Sequence, residues 1–409
     1  MSQTEKSGAR FDPEAHFNRL GGRVFALGVF AAAIFSAWLF ELRADQLFTF
    51  PETLADAGGE DLTAFQRGAE MAAAGDGDAA YDPATFRDGL PEPAQGMLWL
   101  YPPHFFLLIA PLALASFGTV KAFWLIASGS ALLSIARIAA PRSLLSSLLV
   151  VSPAAFAHLL AYQIGPFVAL VLLGALLCAR DRPTLSAILI ALLTMKPQVG
   201  LLIPVFLAAG GDWRAFHRTV AFAAVLIIVS ILSFGGDVWA SFFAALKDVH
   251  GAHAGALHRD MISVQQTAAK LGAPAAVSIA AHLVGLIIAA SAVWTAGRRL
   301  ERDDAIGLTL LLSAAVSPSI WVYDWPLVAA GMLMLARNGP WPVGLQALGA
   351  IVWIGPLFSL GIGTLVSAVI APISLYLFVG VLLRRLLSTA RDAPQAERLR
   401  AADPVSLSA

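Results

Sequence analysis

VFALGVFAAAIFSAWLF, residues 24–40, carries no charged side chain, and its length decides the fold class. A helix needs about 17–25 predominantly apolar residues to cross the hydrocarbon core of a bilayer. Comparable runs follow near 104–117, 120–138, 144–161, 164–179, 185–209, 219–234, 275–296, 305–321, 325–336, 343–360 and 364–387. A soluble domain cannot bury so many helices that are apolar all round. The expectation is an all-α polytopic membrane protein with about 12 transmembrane helices, in a range of about 11–13.

Composition agrees with that class. Of 409 residues, 58% are hydrophobic and 13% charged, whereas soluble chains carry about 25% charged residues. The mean hydropathy is +0.74. The formal net charge is zero, which leaves no basic footprint for nucleic acid. Cys178 is the only cysteine, so disulfides and cysteine-based metal sites within the chain are excluded. The first apolar run begins too far in and is too long for a signal peptide. It also lacks a small-residue cleavage site, and it reads as a retained helix.

Arginines set the expected orientation. Arg10, Arg19 and Arg23 precede the first helix, and the positive-inside rule puts that end in the cytoplasm. Loops with Arg137 and Arg142, Arg180 and Arg182, Arg214 and Arg218, Arg298 and Arg302, and Arg337 read the same way. So does the tail bearing Arg384, Arg385, Arg391, Arg398 and Arg400. The alternation fails if 104–117 and 120–138 both cross, because Arg137 and Arg142 then fall outside. The segment 104–117 is short, follows Pro102 and Pro103 and contains Pro111, so it is the one expected not to span. Lys196-Pro197 interrupts 185–209. A lysine at a helix centre costs about 2.5–3.5 kcal/mol on insertion, and proline removes a backbone hydrogen bond. The pattern leaves two forms open, one broken helix or two short ones meeting near the outer interface.

Two loops exceed connector length. Residues 43–98 are rich in Asp, Glu, Gly and Pro, and 235–272 carry His250, His253, His258, Arg259, Asp260 and Lys270. Within the first, DLTAFQRGAEMAAA (61–74) predicts a helix with Leu62, Phe65, Ala69 and Ala72 on one face, suited to lying on a bilayer surface. By the assigned orientation both loops face outward and together form a candidate roof over a site. Trp239, Phe242 and Phe243 read as interfacial anchors.

Five pieces, EDLTAFQRGAEMAAAGDGDAAYDP (60–83), WLYPPHFFLLIAPLALAS (99–116), AYQIGPFVALVLLGALL (161–177), LTMKPQVGLLIP (193–204) and SPSIWVYDW (317–325), carry a family likeness. In this order the chain resembles the polyprenol-phosphate-sugar-dependent glycosyltransferases of family 87, which have the GT-C fold. The resemblance implies a GT-C-type bundle in the bacterial inner membrane. It would have a cytoplasmic tail (1–22), a transmembrane catalytic domain (23–387) and a second cytoplasmic tail (388–409). It implies a lipid-linked sugar phosphate as donor, reached from the outer leaflet, and a mannose- or arabinose-like sugar. The acceptor would be a hydroxyl of a glycolipid or glycan, and transfer would invert the anomeric centre. It also implies an Asp of the first outer loop as general base, and Asp61 occupies that place. No cofactor and no metal are expected beyond the donor itself. Such a transfer needs one carboxylate to take the acceptor proton and cationic groups where charge develops on the leaving phosphate.

Each candidate has a plainer reading. Asp61 precedes a helix and would serve as its N-cap, and Asp45, Asp56, Glu60, Asp76, Asp78, Asp82 and Asp88 compete with it in the same loop. Lys196 either binds the donor phosphate, with Gln198 as neighbour, or snorkels to a headgroup. His258 and Arg259 either meet the donor phosphate or are solvated, and the His250, His253 and His258 spacing does not favour a metal. Asp324 either orients sugar hydroxyls or caps the following helix. Tyr101, with Pro102 and Pro103, shapes the mouth of the site, and Gln163 faces it if 164–179 crosses. The rival reading of the whole chain is a multi-pass transporter or lipid flippase. Inverted repeats with paired broken helices mark transporters, and the Lys196-Pro197 break has no counterpart. A noncatalytic envelope-assembly subunit is the third reading.

Overall fold

The computed structural model describes residues 21–252, 261–361 and 365–402. Helices are the only regular elements among them, apart from an isolated bridge between Met261 and Trp321. The elements used below are α1 (Arg23–Leu42), α2 (Leu62–Ala74), α3 (Phe117–Ala139), α4 (Pro153–Ala161), α5 (Gly165–Cys178), α6 (Pro183–Leu193), α7 (Ile203–Gly210), α8 (Trp213–Phe234) and α9 (Asp237–Ala252). They continue with α10 (Val264–Lys270), α11 (Ala275–Arg299), α12 (Arg302–Val316), α13 (Trp325–Ala336), α14 (Val343–Trp353) and α15 (Leu365–Ala402).

Six apolar segments are long enough to cross a membrane: α1, α3, the run Leu144–Ala161 that ends in α4, α8, α11 and Val369–Ser388 of α15. Their outward faces are greasy. Leu27, Phe30, Ile34, Phe35 and Trp38 of α1 are exposed, as are Val284, Ile287 and Ile288 of α11. Of α8 only Ala215 and Ser230 are buried. In water such surfaces would drive association; against lipid tails they cost nothing. The protein is a membrane protein.

Six further apolar segments are shorter: Pro103–Leu114, α5, α6, Pro197–Gly210, Val322–Ala336 and α14. Proline sets where several begin. Pro153, Pro166, Pro183, Pro197 and Pro326 each stand in a helix's first turn, where the missing N–H has no intrahelical partner to lose. The Lys196-Pro197 break therefore resolves into two short helical segments. Pro103–Leu114 winds as 3-10 and α turns interrupted near Pro111.

Contacts sort the segment ends into two groups. At one end Gly21 N–H meets the Ala336 carbonyl at 3.0 Å, Trp341 N–H meets Gly21 at 2.8 Å, and Arg337 reaches Asp303 and the Ala139 carbonyl. Arg302 binds Asp212 at 2.9 Å and Arg218 binds Thr184 at 2.6 Å. The arginines of the short loops thus gather on one side. At the other end stand Asp61, Tyr101, Gln163, Lys196 and Asp324.

Residues 43–98 fill the volume beyond the short helices. The Leu62, Phe65, Ala69 and Ala72 face of α2 is buried as expected, but so are Thr63, Gln66, Gly68 and Met71. Gln66 donates to the Leu112 carbonyl at 3.3 Å. The helix is held within the protein on more than one face, so a single apolar stripe is too simple a description. Two of the three residues read as interfacial anchors also pack inward. Trp239 stacks on His104 at 5.9 Å and donates to Ser230, and Phe242 packs on Tyr81 at 5.7 Å. Phe243 alone of the three is exposed. The last helix, α15, continues to Ala402, past the end of the hydrophobic run at 387.

Candidate active site

The main chain delivers Asp61 to its position. Its N–H donates to the Ala161 carbonyl at the end of α4 at 2.8 Å, and its own carbonyl accepts from Ala64 and Phe65 at the start of α2. Its carboxylate makes no capping hydrogen bond to that helix. Instead Oδ2 accepts from Gln163 Nε2 at 2.7 Å. An Asp at an N-cap that leaves its orphan N–H groups unserved and turns elsewhere is used for something other than capping.

Gln163 is oriented by its surroundings. Its Oε1 accepts from the Tyr101 hydroxyl at 3.1 Å and from Ile164 N–H at 3.0 Å, which assigns Nε2 to face Asp61. Trp124 Nε1 holds the Gln163 carbonyl at 3.1 Å, and the Tyr81 hydroxyl holds the Tyr101 carbonyl at 2.7 Å. The next turn requires Gly165. A Cβ there would lie 2.1 Å from the Tyr323 carbonyl oxygen, so the chain closes over VYD only because this residue has no side chain.

Lys196 does not snorkel. Its Nζ lies 2.5 Å from Asp324 Oδ1, and the two side chains are 4% and 1% exposed. It also sits 5.2 Å from the centre of the Tyr323 ring, which itself stacks on Trp321. The other oxygen, Asp324 Oδ2, accepts from Trp321 N–H at 3.1 Å and closes the turn before α13. Asp324 makes no side-chain cap to α13; Oδ2 closes the capping box of the 3-10 turn Val322–Asp324, and Oδ1 fixes the ammonium.

The two groups share one field. Burial raises the Asp61 carboxyl above its usual range, while the Gln163 hydrogen bond and the Lys196 charge lower it and the Asp324 charge raises it. Burial likewise raises the Tyr101 hydroxyl, with the Asp61 charge adding to it. Asp61, Tyr101, Gln163, Lys196 and Asp324 therefore form one cluster, with Tyr323, which the sequence reading passed over, as its wall.

The competing carboxylates of the loop are spent or exposed. Glu60 pairs with Lys121 at 2.8 Å, both buried. Asp56 accepts from Thr53, and Asp82 caps a short helix through Thr85. Asp45, Asp76, Asp78 and Asp88 are exposed. Gln198 is half-buried in the Pro197–Gly200 turn and joins none of these hydrogen bonds. His258 and Arg259 lie outside the described residues. Among the described residues no three His, Cys, Asp or Glu side chains come together in a way that holds a metal. A cavity of about 260 Å³ lies behind Tyr81 and Trp99, bordered by Asp78, Ser241 and Asp248; none of the cluster's carboxylates lines it.

A family model for glycosyltransferase family 87 matches residues 99–323, more than half of the chain. The chain belongs to glycosyltransferase family 87. No curated protein and no solved structure matches it. Membership of family 87, with the membrane-length helices, makes this a membrane glycosyltransferase. The span matched to family 87 contains Tyr101, Gln163, Lys196 and Tyr323 and ends one residue before Asp324. Asp61 precedes it and is joined to the matched residues by its hydrogen bond to Gln163.

Proposed function

We propose that this protein moves a sugar, mannose- or arabinose-like, from a polyprenyl-phosphate donor to the hydroxyl of a glycolipid or glycan acceptor. The reaction would take place at the extracytoplasmic side of a bacterial inner membrane, within a GT-C-type bundle of about 12 crossings. The observation that carries this reading is the Asp61 carboxylate, which is uncapped, hydrogen-bonded to Gln163 and within the field of the buried Lys196–Asp324 pair.

Asp61 is the general base. Proton transfer is most effective when the base's pKa approaches the working pH, and burial moves this carboxyl in that direction. As Asp61 takes the acceptor proton, the acceptor oxygen attacks the anomeric carbon from the face opposite the phosphate, and the C–O bond to phosphate breaks with inversion. The leaving phosphate keeps the bonding electrons, and Lys196 meets the charge it gains. An ammonium has three N–H donors; Asp324 occupies one, which leaves two for phosphate oxygens. Tyr101 and Gln163 line the acceptor side. His258 and Arg259 would add positive charge to a cluster whose two carboxylates outnumber its one ammonium.

The test is purified full-length protein in nanodiscs with a panel of polyprenyl-phosphate sugars, read by mass and NMR analysis of the product. One donor of the panel should be consumed with inversion. Consumption of none, or transfer with retention, would overturn the reading.

A further inference from the structure

One buried side chain links the two segments that carry the cluster. His104 follows Tyr101-Pro102-Pro103 and is 6% exposed. Its Nε2 lies 3.0 Å from Thr194 Oγ1. The Thr194 hydroxyl has one proton, and it is directed at the Ala191 carbonyl at 2.5 Å. Thr194 therefore accepts and His104 Nε2 donates. His104 Nδ1 is buried with no partner, which suits an unprotonated nitrogen and leaves the ring neutral, because a buried N–H without an acceptor is costly.

Thr194 belongs to the tight turn that ends α6. Backbone bonds Thr194 to Ala191, Met195 to Leu192 and Lys196 to Leu193 wind this turn and aim Lys196 at Asp324. Three residues before His104, Tyr101 holds the Gln163 amide on Asp61. The imidazole is stacked 5.9 Å from Trp239 of α9 with an interplanar angle of 15°. One ring thus joins the Tyr101 segment, which carries the base side, to the Thr194 turn, which carries the lysine. Helix α9 of the second long loop backs it.

We infer that His104 is a positioning residue: its hydrogen bond to Thr194 sets where Lys196 stands relative to Asp61. The inference rests on the reading of Lys196 as the phosphate-binding group, and its test separates the two. Full-length protein in nanodiscs is titrated with polyprenyl phosphate, without sugar, for wild type, Lys196→Ala, Thr194→Val, His104→Leu, His104→Gln and the Thr194→Val/His104→Leu double variant. Thr194→Val is isosteric and keeps the fold testable if His104→Leu does not assemble.

The expected result is a loss of affinity in Thr194→Val and in His104→Leu of about five- to tenfold, the size that one buried hydrogen bond supplies, and a larger loss in Lys196→Ala. The double variant should be no weaker than the weaker single, and His104→Gln, whose amide can still donate, should recover most of the loss. Donor KM should rise more than kcat falls, a split that general loosening of the fold does not produce. If Lys196→Ala weakens binding while Thr194→Val and His104→Leu bind as wild type, or if their losses add, His104 does not position the lysine. If Lys196→Ala binds as wild type, the phosphate role of Lys196 falls and this inference falls with it.

Discussion

At the scale of single residues, the question is which carboxylate works. Asp61→Asn keeps an oxygen that can accept from Gln163, so the fold should persist. Turnover should fall by about 10²–10⁴, the range general-base catalysis supplies, while polyprenyl-phosphate binding remains. A transfer assay beside a binding titration checks this. Gln163 offers a finer probe. As the proposed base, Asp61 must be unprotonated, so activity should be lost as pH falls through its pKa, which burial places above the ordinary carboxylate value. The Gln163 hydrogen bond opposes that shift, and Gln163→Leu should move the acid limb of kcat/KM to higher pH. An unmoved limb would mean that the limb reports another group. Of these residues, Lys196 was legible as a charge inside an apolar run. Asp61 was not separable by physics alone from the other acids of its loop. What separates it is tertiary: Glu60 is neutralised by Lys121, others are spent on Thr53 or Thr85, and Gln163 selects Asp61. Tyr323 and His104 stood inside the quoted motifs without a period or charge to mark them.

At the scale of elements, turns decide where these side chains stop. The chain passes α5 against the VYD turn at a distance that admits no Cβ at Gly165. Gly165→Ala should cost about 1–3 kcal/mol, as overpacking does, and lower the melting temperature together with activity. Gly129→Ala, in α3 with nothing within 4 Å of the added carbon, should be neutral or slightly stabilising and is the matched control in the same melting experiment. The first long loop is fastened to α3 by the Glu60–Lys121 pair, 9% and 3% exposed at the side chains. Lys121→Met strands a buried carboxylate and should cost about 3–5 kcal/mol, whereas adding Glu60→Gln should return much of it. Hydropathy located most helical segments because burial in lipid imposes a long unbroken apolar run. It marked the interruption at Lys196-Pro197 without deciding between one broken helix and two short ones, and length alone does not tell Pro103–Leu114 from the other short runs, because short apolar runs look alike whether they cross, half-cross or pack sideways. The inward packing of Trp239 and Phe242 was equally hidden, since an aromatic belt and an aromatic core share one composition.

At the scale of the whole molecule, helix length places the cluster in depth. The 11 residues of α6 and 12 of α13 rise about 16–18 Å at 1.5 Å per residue, against about 30 Å for the hydrocarbon core. Helix α6 runs from the arginine-rich end to the turn that carries Lys196, and α13 runs from Asp324 back to that end, so the cluster lies recessed between long helices such as α8 and α11. A carrier whose phosphate is tethered to a lipid tail reaches such a depth from the side. A free sugar nucleotide would have to descend past residues 43–98. This argument depends on which end is which, and the arginines supply the expectation that their end is cytoplasmic. In a Cys178→Ser background, which removes the only native thiol, cysteines replace exposed Asp78 on the loop end and exposed Arg142 on the arginine end. A membrane-impermeant maleimide should label Asp78→Cys in intact spheroplasts and Arg142→Cys only after permeabilisation. The reverse pattern would turn the cluster towards the cytoplasm, where nucleotide sugars are at hand, and would remove the reason to expect a lipid-linked donor.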